Sequence, residues 1–269
     1  MTNLPPLHTL WIGSRLGWLE RLCLTSWLAM GHPVTLWCYE APGNVPAGVK
    51  QRAADEMLPA SEIVLHRPTG SVALFSNRFR YHLLRRYPVT WLDADVLLLR
   101  PLNVSTPHIF GWESEELIGT AVLRLPPASP LLDDLLALTD ARIPIPNWWP
   151  PHWKIAQRLL GQAGLHCRAE HMRWATFGPR ALTRAIEDHS CTGLAAPREV
   201  FYPIGHREVH RLLEESGDAC MRFSEETITV HLWNSSDAMR GLRGRLPSAD
   251  SWLGQMCTRY GLDATQSCP

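Results

Sequence analysis

The chain has 269 residues, 45% of them hydrophobic, which suffices for one well-buried core and is short for two. Lys+Arg and Asp+Glu both number 26, so the formal net charge is zero; this gives no support for a nucleic-acid binder and no strong overall pull toward an anionic membrane, leaving only local patches open. No apolar stretch approaches the roughly 18 residues of a membrane span, and the first residues lack the basic-then-apolar order of a secretory leader.

In chain order, Leu7 to Ile12 reads as a first strand, and Trp18 to Met30 as a helix closed by Gly31. Val34 to Cys38 is a second strand, followed by a Pro- and Gly-rich loop, with a third strand expected over Glu62 to His66. Ser71 to Tyr87 carries Val72, Phe75, Phe79, Leu83 and Leu84 at helical spacing and is stopped by Pro88. Val89 to Leu99 is apolar on both sides of two aspartates and Ile118 to Leu123 is a further strand, with helices over Pro130 to Leu138, Trp153 to Leu160 and Pro179 to Asp188 and a last strand over Thr227 to Leu232. Apolar strands alternating with helices predict an α/β fold: a mostly parallel central sheet flanked by helices, with an irregular C-terminal half and no interdomain linker. The seven cysteines, Cys23, Cys38, Cys167, Cys191, Cys220, Cys257 and Cys268, are odd in number and form no CxxC, so free thiols in a reducing compartment are expected.

Asp93-Ala94-Asp95 is the chemical centre. On a strand, residues i and i+2 share a face, so two carboxylates would repel in an apolar setting. A divalent cation removes that cost, takes oxygen ligands and bridges to substrate phosphates. A lone Asp-x-Asp arises by chance, and the bland reading is a pair capping a strand-end turn. The flanks Trp91-Leu92 and Val96-Leu97-Leu98 favour chemistry, because unpaired charge among apolar residues is costly.

Four segments together resemble the bacterial and fungal glycosyltransferases with a sugar-binding DXD region, the family-32-like capsular and lipopolysaccharide enzymes, and more distantly the clostridial glucosylating toxins. They are Leu7-His8-Thr9-Leu10-Trp11-Ile12-Gly13, Phe75-Ser76-Asn77-Arg78-Phe79-Arg80-Tyr81, Trp91-Leu92-Asp93-Ala94-Asp95-Val96, and Val230-His231-Leu232-Trp233. The resemblance implies a single GT-A domain, residues 1–125 holding the nucleotide-sugar and 126–269 facing the acceptor. It implies Mn²⁺ or Mg²⁺, a nucleotide-diphosphate hexose with UDP favoured, a glycan or lipid-linked acceptor, and retention at the anomeric carbon. Trp11 and Ile12 would line the base pocket; Ser76, Asn77, Arg80, Trp91, Ala94, Trp233 and Asn234 would contact the donor. Asp95, with Asp93 and His231, would hold the metal and serve catalysis. Polysaccharide biosynthesis in a bacterial cytoplasm, with peripheral contact at the inner membrane face left open, is the matching setting. Two positions depart from the family pattern: Asn77 stands where an acid is usual, and Pro88-Val89 where Gly-Gly is usual.

Each assignment has a plainer competitor. His231 could be a hydrogen-bonded core histidine, Arg80 part of a solvated helix face, and Trp233 core; His8 reads as structural. Trp148, Trp149 and Trp153 could stack on an acceptor sugar or simply pack over the sheet. The rival enzyme is a haloacid-dehalogenase-type phosphohydrolase, which lacks its usual Gly-Thr continuation here, since Val96-Leu97 stand in that place. The rival of another class is a non-catalytic nucleotide-sugar or glycan-binding protein.

Overall fold

The structure is a computed structural model that describes residues 4–215 and 221–262. In chain order it comprises β1 (Leu7–Trp11), α1 (Trp18–Ala29), β2 (Val34–Cys38), β3 (Lys50–Ala53), α2 (Ala73–Arg86), β4 (Thr90–Leu92), β5 (Val96–Leu98) and β6 (Val122–Leu123). There follow α3 (Pro130–Thr139), α4 (Pro151–Gln162), α5 (Pro179–Asp188), α6 (Arg198–Phe201), β7 (Thr229–His231), α7 (Asp237–Arg240) and α8 (Trp252–Arg259), with short 3-10 turns between them. The expected class holds: α/β, with a mostly parallel central sheet and a less regular second half.

The central sheet has the order β3-β2-β1-β4-β6, parallel except for β6. Alternate residues of its strands enter two separate cores, as a pleat requires. Leu7, Leu36, Leu92 and Val122 join α1 and the C-terminal helices in one, while Leu10, Trp37, Trp91 and Leu123 join α2, α3 and α5 in the other. Gly31 ends α1 at φ +86°, the left-handed conformation that glycine adopts without a Cβ clash.

Three expectations are corrected. Glu62 to His66 is not a strand: Ala60–Glu62 is a 3-10 turn, Val64 and Leu65 are exposed, and the His66 ring is occupied by Thr69 Oγ1 and the Met172 carbonyl. The strand beside β2 is instead β3, a polar segment not anticipated as a strand; it is a sheet edge, where charge deters further pairing. The long strand over Val89 to Leu99 is broken. The chain turns at Asp93-Ala94-Asp95, with the Val96 N–H donating to the Asp93 carbonyl at 3.0 Å, and β5 leaves the central sheet to pair antiparallel with β7. The sixth strand shrinks to Val122–Leu123, with Ile118 forming only a single bridge to Trp112. Cys23, Cys38, Cys167, Cys191 and Cys257 are free thiols; Cys220 and Cys268 lie outside the described residues.

Helix α1 clamps the departing strand. Trp27 Nε1 donates to the Val96 carbonyl at 2.7 Å, and the Leu98 N–H donates to Ser26 Oγ at 3.0 Å. Both groups are buried, so neither has water as a substitute. Trp27→Phe leaves the Val96 carbonyl without its donor and is expected to lower unfolding stability by about 1–3 kcal/mol; the midpoint of chemical denaturation measures it.

Candidate active site

The central sheet reverses direction of growth at β1. From β1 the chain winds outward through β2 to β3, then returns by α2 to place β4 on the opposite side of β1. The crevice beyond the C-terminal ends of two such neighbouring strands is where open α/β sheets take ligands. Trp11 and Ile12 end β1 there, half-buried, and Asp93 ends β4. Ligand atoms of Asp93, Asp95 and His231 lie within 4.8 Å of one another at this point. The two acids are brought together by a turn, not by the pleat of a continuous strand as the residue spacing predicts.

Asp93 is held from the α2 side. Arg80 Nη2 lies 2.8 Å from Asp93 Oδ1, and Trp91 Nε1 donates to the same oxygen at 2.7 Å. The rest of the guanidinium is also committed: Nη1 donates to the Thr120 carbonyl at 2.6 Å, and Nε and Nη2 to Ser76. It lies 4.7 Å over the Trp91 ring. Arg80 is therefore a buried positioning group, 3% exposed, not a solvated helix residue, and all three of its nitrogens contact the protein. The same holds for Trp91, fully in the core, and for Ser76, whose hydroxyl holds Arg80.

Asp95 is held from the opposite face. His231 Nε2 lies 3.2 Å from Asp95 Oδ1, and the Asn234 N–H donates to Oδ2 at 3.0 Å. The Leu232 N–H donates to the Asp95 carbonyl at 2.8 Å, tying the turn to the end of β7. Trp233 makes that geometry: its φ of +50° is left-handed, costly for a bulky residue, and reverses the chain so that the Asn234 N–H returns to Asp95. The Trp233 indole is fixed by a 2.8 Å bond to the Ile204 carbonyl and stacks on His231 with centroids 4.0 Å apart. Burial pushes the Asp95 pKa up, but the His231 charge and hydrogen bond and two backbone N–H groups outweigh it and hold the acid below its usual range. Burial pulls His231 down, and Asp95, Asp93 and Glu113 together raise it above 6.5. His231 Nδ1 is buried without a hydrogen-bond partner.

Three residues beyond those anticipated belong to this cluster. Glu20 accepts from Asn234 Nδ2 at 2.8 Å, and burial raises its pKa to about 7. A carboxylate on the apolar stripe of α1, four residues before Leu24 and seven before Trp27, was the signal for it. Glu113 is likewise raised to about 7, by burial first and then against the pull of His231. Tyr202 donates neither to Glu113 nor to the acids; its hydroxyl accepts from the Val122 N–H at 3.1 Å. A Cβ on Gly119 would lie 2.4 Å from that hydroxyl and 2.9 Å from Glu113 Oε2, so only glycine fits between them. Nothing in the local sequence marks Glu113 or Tyr202.

Other expected positions are more scattered. Asn77 is buried against Gly178 with its Oδ1 unpartnered, and Ala94 sits in the acid turn. Trp148 and Trp149 pack against different core clusters, and Trp149 meets Trp153 edge-on at 86°, so the three indoles form no common platform. His8 is structural: its Nδ1 accepts from Trp37 Nε1 at 3.0 Å, and burial lowers its pKa to about 4.

Two outcomes are expected. Arg80→Met strands the Thr120 carbonyl and Asp93 together and is expected to cost about 3 kcal/mol in denaturant unfolding. The Asp95–His231 pair stabilises the fold between two limits. The Asp95 contribution is present above 3.8 and is lost as pH falls through its lowered value. The His231 contribution is complete below 6.5 and is lost as pH rises through its raised value. His231→Gln is expected to abolish the alkaline-side loss in a stability–pH profile while keeping the acid-side slope from other carboxylates.

Residues 170–259, about a third of the chain, match the alpha 1,4-glycosyltransferase conserved region. That segment contains β7, His231, Trp233 and Asn234, the wall that fixes Asp95. No curated protein matches the sequence. Among solved structures, the PaToxG glycosyltransferase is similar over 69% of this chain and 68% of its own, at 10% identity and a TM-score of 0.46; likeness that distant says nothing about substrate or residue roles. The chain is thus similar to the alpha 1,4-glycosyltransferase conserved region over the wall that holds Asp95.

Proposed function

We propose that the protein moves a hexose, with retention, from a nucleotide-diphosphate sugar to a hydroxyl of a glycan or lipid-linked acceptor, with UDP-sugar the favoured donor and Mn²⁺ or Mg²⁺ as the cofactor. The observation that carries this reading is the convergence of Asp93, Asp95 and His231 within 4.8 Å at the sheet's reversal point. The donor set fits such an ion: two carboxylates and one imidazole suit hard to borderline divalent cations that share ligands with phosphate. The imidazole turns a nitrogen to the acids, His231 Nε2 lying 3.2 Å from Asp95 Oδ1, as a ligand to a shared ion would. When bound, the ion would act as a Lewis acid toward the charge growing on the departing nucleoside diphosphate.

The protein's own groups supply the rest. Asp95 and His231, with Asp93, would hold the ion, and Asp93, aimed by Arg80 and Trp91, would also reach the ribose or the sugar. Trp11 and Ile12 would flank the base at the end of β1. Trp233 and Asn234 would close over the diphosphate, with Ser76 and Asn77 behind Arg80 on the donor side and Ala94 lending the turn its closeness. Trp153, half of whose surface is open, is the indole best able to meet an acceptor; Trp148 and Trp149 would support it. Phosphoester hydrolysis by Asp93 as nucleophile is disfavoured, since its Oδ1 already accepts from Trp91 and pairs with Arg80.

Calorimetric titration of UDP, GDP and their hexose conjugates, with and without Mn²⁺, tests the reading. Mn²⁺-dependent binding of one nucleotide, lost in Asp95→Asn while that variant still unfolds cooperatively, is the expected result. No nucleotide binding, or normal turnover in Asp95→Asn, overturns it. Because His231 is protonated below its raised pKa, metal must displace that proton. Mn²⁺ affinity is therefore expected to climb with pH through that value and to flatten in His231→Gln.

A further inference from the structure

Helix α4 is mounted with its polar side inward. Gln157 and Gly161 are its buried residues, whereas Trp153, Ile155, Leu159 and Leu160 are exposed. The rotation is locked. Gln157 Nε2 donates to the Cys167 carbonyl at 2.7 Å and to the Pro144 carbonyl at 3.3 Å, and its Oε1 accepts from the Cys167 N–H at 3.0 Å. Gly161 sits so close to Ile143 that a Cβ there would lie 2.3 Å from Ile143 Cδ1. A glutamine bonded three ways and a glycine pressed on isoleucine leave the apolar arc nowhere to turn but outward. Of the nine large exposed apolar side chains among the described residues, six fall between Trp153 and Trp174, with Leu165 at 71% the most open.

The charge around this face is one-sided. Residues 141–174 contain five basic side chains, Arg142, Lys154, Arg158, Arg168 and Arg173, against the single acid Glu170, a local balance of 5 − 1 = +4 in a chain whose total is zero. None of the five forms an ion pair among the described residues. An outward apolar arc with tryptophan and leucine, bordered by unneutralised Lys and Arg, is the pattern of a helix that lies in a bilayer interface. Among the described residues no helix is long and apolar enough to cross a membrane.

We propose that this face docks on an anionic lipid bilayer, with α4 in the interfacial plane and the basic side chains on lipid phosphates. The segment is joined to the active-site end of the molecule. Trp149, Met172 and Phe177 pack with Leu74 at the start of α2, and the Phe177 carbonyl accepts from Tyr81 at 2.8 Å. Docking there holds the mouth of the sheet crevice close to the lipid, where a membrane-borne acceptor is presented. The docking itself does not depend on the identity of the donor.

The test is co-sedimentation of the full chain with vesicles of phosphatidylcholine plus phosphatidylglycerol, against phosphatidylcholine alone. Binding to the anionic vesicles, weakening with salt, is expected. Ile155→Ser/Leu159→Ser should weaken it about tenfold or more, and Arg158→Glu about fivefold or more. Leu194→Ser, an exposed apolar change outside the segment, should leave it unaltered. Thermal melts establish that each variant is folded. No binding to anionic vesicles, or binding indifferent to the α4 substitutions, overturns the proposal. So does a concentration-dependent dimer, seen by light scattering and abolished by Ile155→Ser/Leu159→Ser, which would give the face to a second copy.

Discussion

Two carboxylates cannot be brought to within a few ångströms of each other and kept ionised unless something positive stands on each. Asp93 and Asp95 meet that constraint separately. Arg80, rising from α2 beneath the sheet, faces Asp93, and His231, coming from the last strand, faces Asp95. Much of the architecture can be read as the means of delivering a guanidinium and an imidazole to opposite sides of one short turn. Arg80 needs Ser76, Thr120 and the Trp91 ring around it to sit buried at all. His231 needs β5 to leave the central sheet and pair with β7, which α1 secures through Trp27 and Ser26.

The division follows the pleat. Alternate residues of β1, β2, β4 and β6 feed two cores, and each core supports one of the acids. The acids lie where the sheet ends and the two cores meet. A substitution deep in either core therefore shifts one carboxylate relative to the other, and a separation between two ligand atoms tolerates little such drift.

Much of this was legible in the residues. The helical period of α2, the apolar strands and the acid pair between them identified the fold class and the centre of the site. What could not be seen was direction. Spacing put Arg80 on a helix face but could not say that the face was buried. The pleat rule put Asp93 and Asp95 side by side for a reason that the turn then replaced. Glu113 and Tyr202 come from loops whose only local constraint is Gly119, and their proximity exists solely through tertiary packing. Helix α4 was legible as a helix but not in its facing: the bonding of Gln157 to Cys167 and Pro144 turns its apolar arc outward.

The Asn234 N–H that caps Asp95 lies 139 positions downstream of it. During synthesis the acid turn is therefore made long before its last partner leaves the ribosome, and N-terminal segments of growing chains organise first. Until residues near 234 arrive, Asp95 has neither its imidazole nor its amide donor, while Asp93 already has Arg80. A nascent chain at that stage would hold an acid pair with a partner on one side only. The full acid cluster is in this way reserved for chains that extend past residue 234: a product cut short of it, however well its sheet has formed, would lack both partners of Asp95.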